Sequence, residues 1–253
     1  MNIGYSGLRY DYYDPKKGSS FEYENFYTSL KNLPGVNVRY FPFERIFEVG
    51  KEKFNKEILN WAKSEKPDLL FVFMLSDEFD KPTLKELKKY TTTVAWFADD
   101  SWRFYNYSKF WAPYINWAVT TYSWMPEIYK KNGQPNVIRS QWAANLSTYQ
   151  PVRDLPKERP EVVFIGGWTK PRQKIISYLE KKGIPVSVFG GGWSGGRVSD
   201  EEMIRLFSVS KINLGLNPSP GFLNKNSLGR LFFRRSIDKI IPDFHFFSNF
   251  QTF

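Results

Sequence analysis

The stretch VVFIGGWTKPRQKIISYLEKKGIPVSVFGGGW, Val162 to Trp193, decides the fold. Val162–Ile165 and Val186–Phe189 are short β-branched, apolar runs, and each ends in a glycine cluster, Gly166-Gly167 and Gly190-Gly191-Gly192. A helix-like stretch, Pro171–Lys182, separates them and carries Pro171 and Arg172 in its first turn. Two strands joined through a helix of that length pair in parallel. The glycines therefore fall at the carboxyl ends of neighbouring strands, where a tight turn and a bound phosphate both call for a residue without Cβ.

The same alternation runs through the chain ahead of this stretch. Asn2–Ser6 reads as a strand ending at Gly7. Ser20–Leu33 follows as a helix capped by Ser19 or Ser20 and stopped by Pro34-Gly35. Val36–Phe41 is a strand, and Lys51–Ser64 a helix with Phe54, Ile58, Leu59 and Ala62 on one face. Asp68–Leu75 is apolar enough for a strand buried on both faces. Pro82–Tyr90 and Met125–Asn132 read as helices, and Thr92–Ala98, Trp117–Tyr122 and Val137–Trp142 as strands. Tyr149–Pro160 (YQPVRDLPKERP) is rich in proline and charge without an apolar period, as a linker is. Beyond it come strand Glu161–Ile165, helix Pro171–Lys182 and strand Val186–Phe189. Helix Asp200–Val209 then opens on Ser199 and Glu202 at capping-box spacing, and Ile212–Asn217 is a further strand. The expectation is an α/β protein of two Rossmann-like lobes: residues 1–148, a linker at 149–160, and a second lobe at 161–253.

Composition narrows the chemistry. The 253 residues include no cysteine and a single histidine, His245, so thiol and Ser-His-Asp catalysis and Cys/His metal sites have nothing to build on. Acid–base work falls to carboxylates, Lys or Tyr. The longest apolar run, Leu69–Leu75, is far short of the ~20 residues of a membrane helix. No signal peptide is evident, and the reading is cytoplasmic, with a peripheral membrane contact left open. The net charge of +10 fits either solvated lysine-rich helix faces such as LKELKKY or an anionic partner. No consecutive block of five like charges decides between them.

Three candidate clusters and two single positions follow. Gly166, Gly167 and Arg172 present backbone N–H groups, a helix N-terminus and a guanidinium, a combination suited to phosphate; an ordinary strand-to-helix turn is the alternative. Gly190, Gly191, Gly192 and Trp193 offer backbone access and an aromatic face for a base or sugar, or else a loop with the indole packed away. Asp99 and Asp100 sit just past the strand of TTTVAWFADDSW, where a carboxylate acts as general base, orients a hydroxyl, or caps a helix. Gly7 ends the first strand, and Asn217 the last. Neither G-x-G-x-x-G nor a P-loop is present.

Four segments taken together resemble the CgeB-like (spore-maturation-protein type) glycosyltransferases of the group 1 type, which have the GT-B fold. They are GSSFEYENFYTSL (Gly18–Leu30), TVAWFADDSWRF (Thr93–Phe104), VVFIGGWTKPR with VSVFGGGW, and SDEEMIRLFSVSKINLGLN (Ser199–Asn217). The resemblance implies transfer of a sugar from a nucleotide-diphosphate sugar, retaining and without a metal or other cofactor. The donor would lie on the second lobe and a glycan or other acceptor on the first. Gly166, Gly167 and Arg172 would line the diphosphate, Gly190–Trp193 the nucleotide, and Asp99 or Asp100 the acceptor. Family members continue with an Arg-x-Phe-Glu segment; here GRLFF at Gly229–Phe233 has no acid, so the second lobe is expected to be incomplete, the chain being either a fragment or a degenerate member, and the apolar tail from Leu231 weakly held, prone to self-association, or folded back over the exposed edge. Two other classes remain: a non-catalytic module binding a nucleotide sugar or glycan, and a nucleic-acid binder suggested by the charge and by SWRFYNYSKFW. No RNP, helix-turn-helix or zinc motif supports the last.

Overall fold

A computed structural model describes residues 1–153, 160–217, 232–237 and 240–242. The chain divides into two compact units, Met1–Ala143 with Phe222–Phe253, and Ala144–Gly221.

The first unit is a six-stranded parallel sheet in the order β2-β1-β3-β4-β5-β6. Its strands are β1 (Asn2–Gly7), β2 (Asn37–Pro42), β3 (Leu69–Val72), β4 (Thr92–Trp96), β5 (Trp117–Thr120) and β6 (Val137–Arg139). The chain steps from β1 to β2 on one side and then resumes at β3 on the other, so the order switches direction beside β1. In doubly wound folds ligands gather at the carboxyl ends of the strands near such a switch. The two-residue period divides the sheet into two faces. Leu70, Val72, Ala95 and Ala118 pack on Phe54, Ile58 and Leu84 on one side; Phe73, Val94, Trp96 and Val119 form a second cluster with Phe26 on the other.

Local chemistry fixes the helices. Ser20, not Ser19, caps the helix over 21–31: its Oγ accepts from Tyr23 N and donates to the Leu8 carbonyl. That helix widens into a π-type turn at Tyr23–Tyr27 before continuing through Thr28–Lys31. Helix Lys51–Glu65 buries Phe54, Ile58 and Ala62, and also Asn55, which the apolar pattern misses. The Asn55 amide donates to the carbonyls of Lys51 and Glu78, and its oxygen accepts from Asp80 N. A polar side chain can sit at a core position when all its bonds are made. Asp80 caps helix Lys81–Leu87 through Thr83 N. The short helix Arg45–Val49 gave no sequence signal.

The second unit is a three-stranded parallel sheet, β8-β7-β9, of β7 (Val162–Ile165), β8 (Val186–Phe189) and β9 (Ile212–Asn213). Helices Lys170–Lys181 and Asp200–Val209 accompany it, capped by Thr169 and Ser199. Val162, Phe164, Ile176, Val186 and Trp193 make its core. β9 ends at Asn213, short of the expected strand to Asn217, and beyond it the Leu216 carbonyl accepts from the Arg172 guanidinium.

The tail departs from the expected division, which ran the second lobe on to residue 253. Its described residues belong with the first unit. β10 (Phe233–Arg235) and β11 (Ile240–Pro242) pair antiparallel. The Asp77 carboxylate accepts from Ser236 Oγ (2.8 Å to each oxygen) and from Ile237 N (2.8 Å), and it pairs with Lys51 at 3.1 Å. Those donors hold the carboxyl below its usual range against the opposing effect of partial burial. Most of the GRLFF segment, residues 229–231, and His245 lie outside the described residues. Among the described residues no helix is long and apolar enough to cross a membrane.

Candidate functional site

The two glycine clusters of the second unit are joined backbone to backbone. Gly166 N donates to the Phe189 carbonyl and Trp168 N to the Gly191 carbonyl, extending the β7–β8 pairing past the strands. Gly190 has φ +121°, and a Cβ there would lie 2.3 Å from the Gly166 carbonyl oxygen; Gly192, at φ +87°, would press a Cβ to 2.8 Å from Trp168 Cβ. Those two glycines serve close packing and a positive φ. Gly167 and Gly191 differ, since a Cβ on either would meet nothing within 4 Å. They are the members of the clusters that border open space, next to the N-terminus of helix Lys170–Lys181.

Arg172 crosses this turn. Its Nη1 donates to the Gly167 carbonyl (2.7 Å), and Nε and Nη2 donate to the Leu216 carbonyl (3.1 Å each), with the guanidinium over the Phe164 ring. A guanidinium has five N–H donors, so two are uncommitted after these bonds. Asn217, exposed, follows directly on the residue that Arg172 holds. The structure therefore brings Gly166, Gly167, Gly190, Gly191, Gly192, Arg172 and Asn217 to one edge of the second unit.

Trp193 corrects the expectation of a stacking face. The indole is 9% exposed, packs edge-on against Phe164, and donates Nε1–H to the Gly166 carbonyl at 2.8 Å. It is a core residue that ties the two glycine turns together. The aromatic surface at this edge is Trp168, 47% exposed, whose Nε1 donates to Gln173 Oε1. Its signal lay in plain view, between Gly166-Gly167 and the capping Thr169.

On the first unit the adjacent aspartates have opposite environments. Asp100 is 2% exposed. Its oxygens accept from Ser108 Oγ (2.6 Å) and Tyr129 OH (2.8 Å). Burial pushes its carboxyl up to about 6, opposed by the hydroxyls of Ser108, Tyr129 and Thr120 and by the charge of Arg103. A carboxylate so enclosed touches no substrate, and the expectation of a catalytic Asp100 is corrected to a structural role. Asp99 is exposed and left-handed, at φ 61° and ψ 29°. It occupies the cap position of helix Asp100–Arg103, and its carbonyl accepts from Trp102 N and Arg103 N, yet its side chain makes no cap bond. A non-glycine residue held there is strained by about 1–2 kcal/mol, and such strain collects at functional positions.

Gly7 is the remaining sequence candidate, and it does not border open space. A Cβ on it would come within 2.7 Å of the Tyr5 hydroxyl, and its carbonyl accepts from Phe43 N and Tyr40 OH. Packing against Tyr5 accounts for the glycine. Among the described residues no group of three or more His, Cys, Asp or Glu side chains is arranged to hold a metal ion.

No protein-family model matches the chain, and no curated protein matches it. Among solved structures, it is similar to a chain described as the lipopolysaccharide outer core galactosyltransferase WaaB in its apo form, with 12% sequence identity and a TM-score of 0.40 over 85% of this chain and 68% of that one.

Proposed function

We propose that the protein is a glycosyltransferase of the CgeB-like kind, moving a sugar from a nucleotide-diphosphate donor to an acceptor hydroxyl. The supporting observation is the edge of the second unit where Gly167 and Gly191 border open space beside a capped twelve-residue helix, with two donors of Arg172 uncommitted. Backbone N–H groups, the positive end of a helix and a guanidinium are the elements that receive a diphosphate. Trp168 would stack on the base or the sugar, and Asn217 would reach a hydroxyl. On the first unit Asp99 is the carboxylate for the acceptor. In the reaction the acceptor oxygen bonds to the anomeric carbon, the bond from that carbon to the diphosphate breaks with its electron pair going to the phosphate, and Asp99 takes the hydroxyl proton. The diphosphate charge would be met by the backbone and Arg172.

Amide chemical shifts read during titration with UDP, GDP and ADP test the donor half. The expected result is perturbation centred on Gly167, Trp168, Gly191 and Arg172 with one of them. No response to any of the three would remove the proposed site. Nucleotide-sugar binding with no turnover against any acceptor would instead favour a non-catalytic binding module.

A further inference from the structure

Trp142 stands at the carboxyl edge of the first unit, after β6, and is 46% exposed. It meets Phe21, itself 48% exposed, edge to face at 5.5 Å and 73°. Beneath them is an aromatic bed of buried Trp96 and Phe73 and partly buried Phe26: Trp142 lies 5.2 Å from Trp96, 6.0 Å from Phe26 and 6.3 Å from Phe73. Two large rings left half in water side by side at the mouth of a parallel sheet offer an apolar surface to a ligand. Phe21 begins the helix that follows β1, and Trp96 ends β4 three residues ahead of Asp99. The rings therefore share the carboxyl edge that carries the exposed, left-handed carboxylate. Trp96 Nε1–H, under this pair, is buried without an acceptor.

We infer that Phe21 and Trp142 form a shelf for a pyranose, so that the acceptor is a sugar presenting an apolar C–H face. A pyranose carries two kinds of surface, a ring face of C–H bonds and an edge of hydroxyls. The shelf matches the first and the Asp99 carboxylate matches the second. A peptide or lipid acceptor would need either a row of backbone partners or a long apolar groove, whereas Phe21 and Trp142 form a two-ring corner. The inference rests on the transferase reading for the word acceptor, though the shelf itself is a property of the first unit.

Saturation-transfer NMR with methyl β-D-glucopyranoside, methyl β-D-galactopyranoside and methyl N-acetyl-β-D-glucosaminide tests it, with UDP and GDP titrated in parallel. Saturation is expected on the axial C–H protons of one ring face for at least one glycoside. The signal should fall about tenfold in Trp142→Ala and Phe21→Ala and recover in Trp142→Tyr. Both side chains are half exposed, so the variants are expected to fold, and an unchanged near-UV circular dichroism spectrum and melting temperature verify it. Nucleotide binding with no contact to any glycoside, or contact untouched by the alanine variants, overturns the shelf and leaves the transferase reading standing. Ring-face saturation lost in Trp142→Ala, in a protein that binds no nucleotide, upholds the shelf and overturns that reading.

Discussion

The turn after β4 and the turns after β7 and β8 occupy the same place in their sheets and are built by opposite means. After β7 and β8 the backbone does the holding: Gly166 and Gly190 touch main chain to main chain, and Trp193 bonds to a carbonyl rather than to a side chain. After β4 a side chain does it, with Asp100 drawing in Ser108 and Tyr129 from the helices that follow. The first arrangement leaves N–H groups and open space for an anion. The second leaves one carboxylate, Asp99, forced outward. A backbone turn suits binding of charge, and a side-chain turn suits presentation of a single reactive group.

The contrast breaks first at Gly190. Gly190→Ala places a Cβ 2.3 Å from a carbonyl oxygen at φ +121°, so roughly 3 kcal/mol or more of stability should be lost. Hydrogen exchange should show it as lost protection of Val162–Ile165, with β1 and β3 unchanged. Normal protection of β7 would show that backbone contact does not hold these turns.

Asp100→Ala strands the Tyr129 and Ser108 hydroxyls in the core and should cost roughly 2–3 kcal/mol in urea unfolding. A companion prediction concerns pH. The folded carboxyl titrates near 6, above its ordinary 3.8, so the folded state binds the proton more tightly than the unfolded chain between those values. Stability contributed by this group is therefore greatest below about pH 4 and declines as pH rises to about 6, by roughly 3 kcal/mol. Asp100→Asn should flatten that part of the melting-temperature profile; an unchanged slope would mean another group governs it.

Arg172→Lys keeps the charge but loses the fork that grips Leu216 and Gly167. Nucleoside diphosphate affinity should fall about tenfold or more, with a stability loss near 1 kcal/mol, as calorimetry and thermal melts would read. The smallest expected change in stability is at Asp99. Asp99→Gly relieves about 1–2 kcal/mol of left-handed strain and adds about 0.5–1 kcal/mol of backbone entropy cost, leaving the fold slightly more stable. A marked loss would mean that the side chain holds the turn after all.

The alternation of strands and helices was legible because Val162–Ile165, Val186–Phe189 and Asp68–Leu75 are short apolar runs of strand length, and the first two end in glycine. The glycine turns were legible for the same reason. What could not be read was which member of a like pair faces inward. Asp99 and Asp100 are identical in chemistry and adjacent; only Ser108 and Tyr129, eight and twenty-nine residues on, decide that the second is buried. Trp193 looked like the exposed ring and Trp168 went unremarked, because the Gly166 carbonyl that captures Trp193 arrives from a different strand. The Phe21–Trp142 pair joins residues far apart in sequence, and no local pattern foretells it. The tail's attachment to Asp77 is likewise a long-range hydrogen-bond match rather than a periodicity.

Turnover by Asp99→Asn measures most directly whether this fold performs glycosyl transfer with Asp99 at the acceptor. The full chain is incubated with UDP-glucose, UDP-galactose, UDP-N-acetylglucosamine and GDP-mannose, with and without the methyl glycosides, and released nucleoside diphosphate is counted. The wild-type chain should release it with at least one donor. Asp99→Asn should be slower by about 10²–10⁴, as for loss of a general base, with nucleotide affinity unchanged. Full turnover by Asp99→Asn, or no nucleoside diphosphate released from any donor by the wild-type protein, would contradict it.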